Sequence, residues 1–280
     1  MANILIAGDS WGIGVFSGQG SKYGPTGQGI QTILESQGHN VINISKGGAA
    51  NYLMVDRLND HWGNTGRCLF GADPSLKVDI DFSSIDYIIF LQTDIFRERH
   101  YYGKQYPTDE HTQWKILEQS FVDSLLDYNS IDDIINSYFQ KFYTELNDIG
   151  IKYDKKILVI GGWSQLHPSI TKYSNLVPVI PSATKLLISE LDEDCYLSDP
   201  EWYTQLAKDD KFMSKFGDEF KPMTIVNANK LNLVYHNWKE VHPPIEGYQR
   251  IVDEILPYLA KKFENITCGI NNSSVLCKDA

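Results

Sequence analysis

The chain has 280 residues, of which 42% are apolar, enough to fill the core of one large α/β domain and too many for a disordered segment. Its 25 basic residues stand against 36 acidic ones, and the net charge of −11 argues against nucleic acid or an anionic lipid surface as partner. The apolar runs, Lys156 to Gly161 among them, fall short of the roughly 18 to 20 residues that cross a bilayer, so no membrane span is expected.

The chain opens with an apolar segment, Asn3 to Ala7, that follows Met1-Ala2 with no basic region, long hydrophobic stretch or cleavage site before it. This pattern reads as a first strand and predicts a cytoplasmic protein. Gly27 to Gln37 carries Ile30, Ile33 and Leu34 at helical spacing and stops at Gly38. Further strands are expected at Asn40 to Ile44, Ile85 to Leu91, Lys156 to Ile160 and Leu176 to Ile180. Their hydrophobicity is nearly continuous, as in strands buried on both faces of a parallel sheet. From Thr112 to Ile149, the periodic placement of Trp114, Leu117, Phe121, Leu125, Ile134, Ile135, Tyr138, Phe142 and Leu146, broken near Tyr128-Asn129-Ser130, predicts two helices. A final helix is expected over Pro244 to Phe263. Strands alternating with helices imply a three-layer α/β/α sandwich around a central parallel sheet.

Residues 184–238 break this rhythm. Acidic turns alternate there with Trp202, Tyr203, Phe212, Phe216, Phe220, Tyr235 and Trp238. They read as an irregular, mostly helical insertion over one end of the sheet, serving as a satellite core or as a lid on substrate. The whole is expected to be one domain over residues 1–265 with a polar tail at 266–280. Cys68, Cys195, Cys268 and Cys277 form no CxxC pair and have no histidine at metal-ligand spacing, so no metal site is expected. They read as free thiols, or Cys268 and Cys277 close a small loop if the protein meets an oxidising compartment. Asn265-Ile266-Thr267 and Asn272-Ser273-Ser274 match glycosylation sequons, which matter only on secretion.

The chemistry is expected at two points. Gly8-Asp9-Ser10-Trp11-Gly12 puts a hydroxyl at the carboxyl end of the first strand, where α/β sheets hold ligands. A serine after aspartate is equally a common helix start. Near the other end, Val241-His242-Pro243-Pro244 sets a histidine ahead of the last helix. Ordinary loop placement explains either residue alone; as a pair they match a serine nucleophile and the base that it needs near neutral pH. Both are expected on an exposed rim.

Gly8-Asp9-Ser10 after the first strand, Asn43-Ile44-Ser45-Lys46-Gly47-Gly48 after the second, and His242-Pro243 followed by Glu246-Gly247-Tyr248 resemble the sequence blocks of the SGNH (GDSL-type) hydrolases. The resemblance covers residues 3–95, 155–181 and 240–263. It implies an SGNH, flavodoxin-like sandwich, Ser10 as nucleophile, His242 as general base, and an oxyanion hole from the amides of Ser10 and Gly48. Two positions depart from the family. Leu91-Gln92-Thr93-Asp94 replaces Gly-x-Asn-Asp, so Thr93 falls where an oxyanion-binding Asn stands; either Gln92 substitutes, Thr93 serves, or the hole is poorer. Lys239 occupies the position of the triad acid, three residues before the histidine, leaving Glu240 or a backbone carbonyl to orient His242.

The resemblance implies a cofactor-free esterase acting on small-molecule or carbohydrate esters, O-acetyl groups among them. The alternative, which Thr93 and Lys239 favour, is a virion- or glycan-associated binding or structural module that keeps the fold with weak or no catalysis. His167 after the fourth strand, and Arg97 and Arg99 after the third, read as substrate contacts or as surface loop residues. The sequence leaves the oligomeric state open.

Overall fold

The computed structural model describes residues 1–14, 29–45, 49–59, 80–93, 95, 120–162, 165–187, 208–219, 243 and 245–260. Five strands form one sheet: β1 (Asn3–Ala7), β2 (Asn40–Asn43), β3 (Tyr87–Gln92), β4 (Ile157–Gly161) and β5 (Leu176–Ile180). All pairings are parallel and the spatial order is β2-β1-β3-β4-β5. This is the doubly wound, flavodoxin-like order, in which successive crossovers reverse direction between β1 and β3.

Continuous hydrophobicity has a direct cause in the two faces of the sheet. Leu5, Ile88, Phe90, Ile157 and Val159 point to one side, where α3 (Asn51–Leu58) and α4 (Ile131–Lys152) supply Val55, Leu58, Phe142 and Leu146. Ile4, Ile6, Ile89, Leu91, Leu158 and Ile160 point to the other. There α2 (Ile30–Ser36) supplies Ile30 and Leu34, α5 (Ala183–Leu187) supplies Leu187, and α7 (Ile245–Ala260) supplies Ile251, Val252 and Ile255. Alternate residues of β1, β3 and β4 thus enter two separate cores, whereas the edge strands β2 and β5 are only partly buried. The sandwich is the three-layer α/β/α architecture that the strand and helix rhythm implies.

Several boundaries follow local chemistry. Ser130 caps α4 by accepting from the Asp133 amide, Asp132 and Asp133 occupy the first turn and Lys152 the last, which places the helix between favourable charges. Residues 120–125 are also helical, so the break near residue 128 is real; Trp114 and Leu117 lie outside the described residues. The helix α3 has no counterpart among the expected elements, although Met54, Val55 and Leu58 carry its buried face.

The described part of the insertion, including α6 (Asp210–Phe216), does not form a separate core. Phe212 and Phe216 are fully buried in the same cluster as Phe142 and Val55. Lys211 pairs with Asp123 at 3.3 Å, Lys215 donates to the Leu126 carbonyl, and Glu219 accepts from the Ile131 amide at 2.8 Å. This segment is therefore anchored to the start of α4. Trp202, Tyr203, Phe220, Tyr235, Trp238, the four cysteines, both sequons and the tail lie outside the described residues. Among the described residues, no helix is long and apolar enough to cross a membrane.

The turn that follows β1 depends on glycine. After the short helix α1 (Ser10–Ile13), Gly14 takes a φ of 83°, and a Cβ there would stand 2.5 Å from the Gly29 Cα. The chain leaving α1 and the chain entering α2 meet backbone to backbone. Gly14→Ala is therefore expected to lower the unfolding free energy by about 3 kcal/mol, combining a left-handed penalty of about 1–2 kcal/mol with a comparable cost of overpacking. Urea denaturation checks this; a loss under about 0.5 kcal/mol, the usual range of neutral surface changes, would contradict the close approach.

Candidate active site

Strand β1 ends at Ala7, and Gly8 leads into Asp9, the N-cap of α1. Gly8 is required by proximity: a Cβ there would lie 2.8 Å from the Leu91 Cβ of β3. Asp9 Oδ1 accepts the Trp11 amide at 2.9 Å, which fixes the first turn of α1 and thus the backbone that carries Ser10. Ser10 is only 9% exposed, more enclosed than the rim position expected from the sequence.

Asp9 also reaches across to β3. Thr93 Oγ1 donates to Asp9 Oδ2 at 3.2 Å, with Thr93 only 2% exposed. The backbone of Thr93 is held in turn by Asn51, the first residue of α3. Asn51 Oδ1 accepts the Thr93 amide at 2.8 Å, and Asn51 Nδ2 donates to the Thr93 carbonyl at 3.0 Å and to the Tyr138 hydroxyl at 2.9 Å. A side-chain amide thus pairs with the backbone where the sheet has run out of strand. Ser10 and Thr93 follow the two strands on either side of the topological switch, the crevice in which α/β sheets bind ligands.

Gln92 turns the other way. Its Oε1 accepts from Tyr143 OH at 2.8 Å and its Nε2 donates to the Gln165 carbonyl at 3.4 Å. Tyr143 OH accepts the His167 amide at 3.0 Å, and burial pushes its phenol far up. Gln92 thus joins β3 to α4 and to the loop after β4.

On the opposite face, Tyr248 of α7 is fully buried. Burial, and after it the Asp9 carboxylate, raise its phenol well above the usual tyrosine value. Tyr248 belongs to the sequence block that begins at His242. Pro243 is buried against this helix, where it would press on any side chain at Gly247. His242 itself, with Glu240, Lys239, Gly48, Asp94, Arg97 and Arg99, lies outside the described residues.

The block after β2 also approaches α1. Asn43 Nδ2 donates to the Gly12 carbonyl at 2.8 Å, its Oδ1 accepts the Ser45 amide at 3.0 Å, and the Ser45 side chain occupies the space that a Cβ on Gly12 would need. Asn51 and Tyr138 are contributors that reading by motif passes over, whereas Asn43 heads the second sequence block. Asn51 offered one local signal, a polar residue at a helix start, and that signal points to a cap. Among the described residues, no three His, Cys, Asp or Glu side chains gather as metal ligands.

No family model matches the chain, and no curated protein matches it. Solved structures give low-scoring likenesses. A member of the lipolytic G-D-S-L family from Veillonella parvula is 14% identical, covering 91% of this chain and 96% of its own, with a TM-score of 0.34. LAE5, an alpha/beta hydrolase enzyme from the metagenome of Lake Arreo, is 13% identical over 91% and 94%, with a TM-score of 0.39. TesA is 12% identical over 92% and 98%, with a TM-score of 0.37. At such scores these likenesses add no weight to what the strand order and the placement of Ser10 establish. The strand order and the two helical layers show a three-layer α/β/α sandwich of flavodoxin-like topology.

His167 has a structural place. It caps the 3₁₀ turn Pro168–Lys172, with Nδ1 2.8 Å from Ser169 Oγ and accepting the Ser169 amide at 3.3 Å, and its ring stacks on Phe139 at 5.2 Å. Burial first, then Lys172, lowers its pKa, because protonation would charge a sheltered ring near a second cation. The stability that it lends is complete above the ordinary histidine value and is lost as pH falls through the lowered one. An NMR titration should therefore find the His167 midpoint below that of a free histidine, and Lys172→Ala should raise it. A midpoint at or above the ordinary value would contradict the capping geometry.

Proposed function

We propose that the chain is a cofactor-free serine esterase of SGNH type acting by acyl transfer on small-molecule esters, with O-acetyl groups on carbohydrate as the substrate class that the family resemblance supports. One observation carries the reading. Ser10 starts a helix capped by Asp9 at the carboxyl end of β1, at the switch point of a doubly wound sheet.

In this mechanism His242 takes the Ser10 hydroxyl proton as Oγ bonds to the ester carbonyl carbon. The amides of Ser10 and Gly48 stabilise the oxyanion. Collapse expels the alcohol, which receives the proton from His242. Water then attacks the acyl-serine, gives its proton to His242, and the acid departs as Ser10 regains its hydrogen. Thr93, at the position of the family's Asn, is the third donor implied by the sequence. Its hydroxyl proton points to Asp9, so donation to an oxyanion would require breaking that bond. A slow esterase is the expected consequence, since losing one oxyanion donor elsewhere costs roughly 3–4 kcal/mol, about a hundred- to thousand-fold in rate. The same bond favours the second reading, a binding or structural module with weak or no catalysis.

Turnover of a short-chain aryl ester decides between them. Ser10→Ala and His242→Ala are each expected to abolish it with little change in the thermal midpoint. A folded variant that keeps most of the wild-type rate would remove that residue from the mechanism.

The family's acid position holds Lys239, which cannot accept the imidazole proton, and we assign the orienting role to a backbone carbonyl ahead of Glu240. Glu240→Gln should then change the rate by less than about tenfold, equivalent to about 1.4 kcal/mol of transition-state stabilisation. A drop of about ten-thousandfold, as when a triad aspartate becomes an amide, would instead place Glu240 in a triad.

A further inference from the structure

We infer that Asn51 and Thr93 are positioning residues for Ser10, acting through Asp9, and that the Thr93 hydroxyl serves Asp9 in place of the substrate oxyanion. The inference rests on the reading of Ser10 as nucleophile. It follows from an unbroken line of polar contacts: Tyr138 OH to Asn51 Nδ2, Asn51 to both backbone groups of Thr93, Thr93 Oγ1 to Asp9 Oδ2, and Asp9 Oδ1 to the Trp11 amide in the turn begun by Ser10.

Each link is sheltered. Asn51 is 1% exposed, and Thr93 and Asp9 are buried with it. A hydrogen bond lost in such a place leaves its partner unsatisfied, so the geometry has few alternatives. With Asn51 gripping amide and carbonyl together, Thr93 cannot shift along β3 without breaking both bonds, and its hydroxyl meets the carboxylate at a fixed place. Asp9 then has one oxygen on β3 and the other on α1. The nucleophile's turn is thereby tied to α3 and α4 on the far side of the sheet. A serine whose backbone is held in this way meets base and ester in one geometry, the condition under which orientation lowers a barrier.

Steady-state kinetics on the aryl ester tests this, with thermal unfolding measured for every variant. Thr93→Val and Asn51→Ala should each lower kcat about tenfold with KM changed by less than about twofold, because the loss falls on the reacting geometry. Thr93→Ser, which keeps the hydroxyl, should recover kcat to within about twofold of wild type. In an Asp9→Ala background, Thr93→Val should cost nothing further.

An additional tenfold loss in that background would assign the Thr93 hydroxyl to the oxyanion and overturn the inference. Wild-type kcat in both single variants would overturn it too. Because Thr93→Val keeps the shape of the residue, it carries the test even where Asn51→Ala proves unstable. Turnover surviving in Ser10→Ala would instead remove the nucleophile assignment and the inference together, which separates the two failures.

Discussion

The contact between Thr93 Oγ1 and Asp9 Oδ2 spans the one place in the sheet where neighbouring crossovers part. Between β1 and β3 the chain departs to opposite faces, and the ends of the two strands are joined there by their own side chains. Asp9 reaches across from one strand and Thr93, held by Asn51, from the other. A short α1 of four residues has little cooperativity of its own. Its position depends on this cap and on Asn43, which bonds the Gly12 carbonyl from β2.

The rest of the molecule makes such a polar seam tolerable. Both faces of the sheet are sealed by aliphatic and aromatic side chains, and buried polar groups are costly there unless paired. Asn51 satisfies its carbonyl oxygen once and its NH₂ twice, while Gln92 and Tyr143 satisfy one another two strands from β2 on the α4 side. Deleting one member of such a pair strands the other at about 1–3 kcal/mol. Gln92, the last residue of β3, and Thr93, just past it, thereby divide labour. Gln92 locks the sheet to α4 and to the His167 loop, and Thr93 locks it to Asp9.

The central strands were legible in the sequence because a strand buried on both faces has nowhere to place a polar residue, and the edge strands because their apolar runs end at turn residues. Asn3 to Ala7 and Leu176 to Ile180 coincide with β1 and β5. The expected start of β3 at Ile85 comes two residues early, since Ile85 closes the 3₁₀ turn at Phe82–Ser84 and only from Tyr87 does the chain pair with β1. Ser10 was legible through its glycine and through the end of a strand. Asn51 was not, because its partners lie 42 and 87 residues away and helix-start polarity suggests a cap. The direction of Gln92 was equally hidden: nothing beside it in sequence announces Tyr143, 51 residues on. Phe212 and Phe216 could be read as buried, but the core that they enter is set by Asp123, Leu126 and Ile131, which sequence spacing cannot place beside them.

The central claim is that Ser10 is the activated hydroxyl of this seam. Peptide mapping by mass spectrometry after treatment with a fluorophosphonate tests it most directly, because the reagent forms a stable bond only where a serine is activated by a base. A single adduct on the peptide that contains Ser10, absent after heat denaturation, is the expected result. An adduct on another residue, or none on the native protein, would contradict the claim.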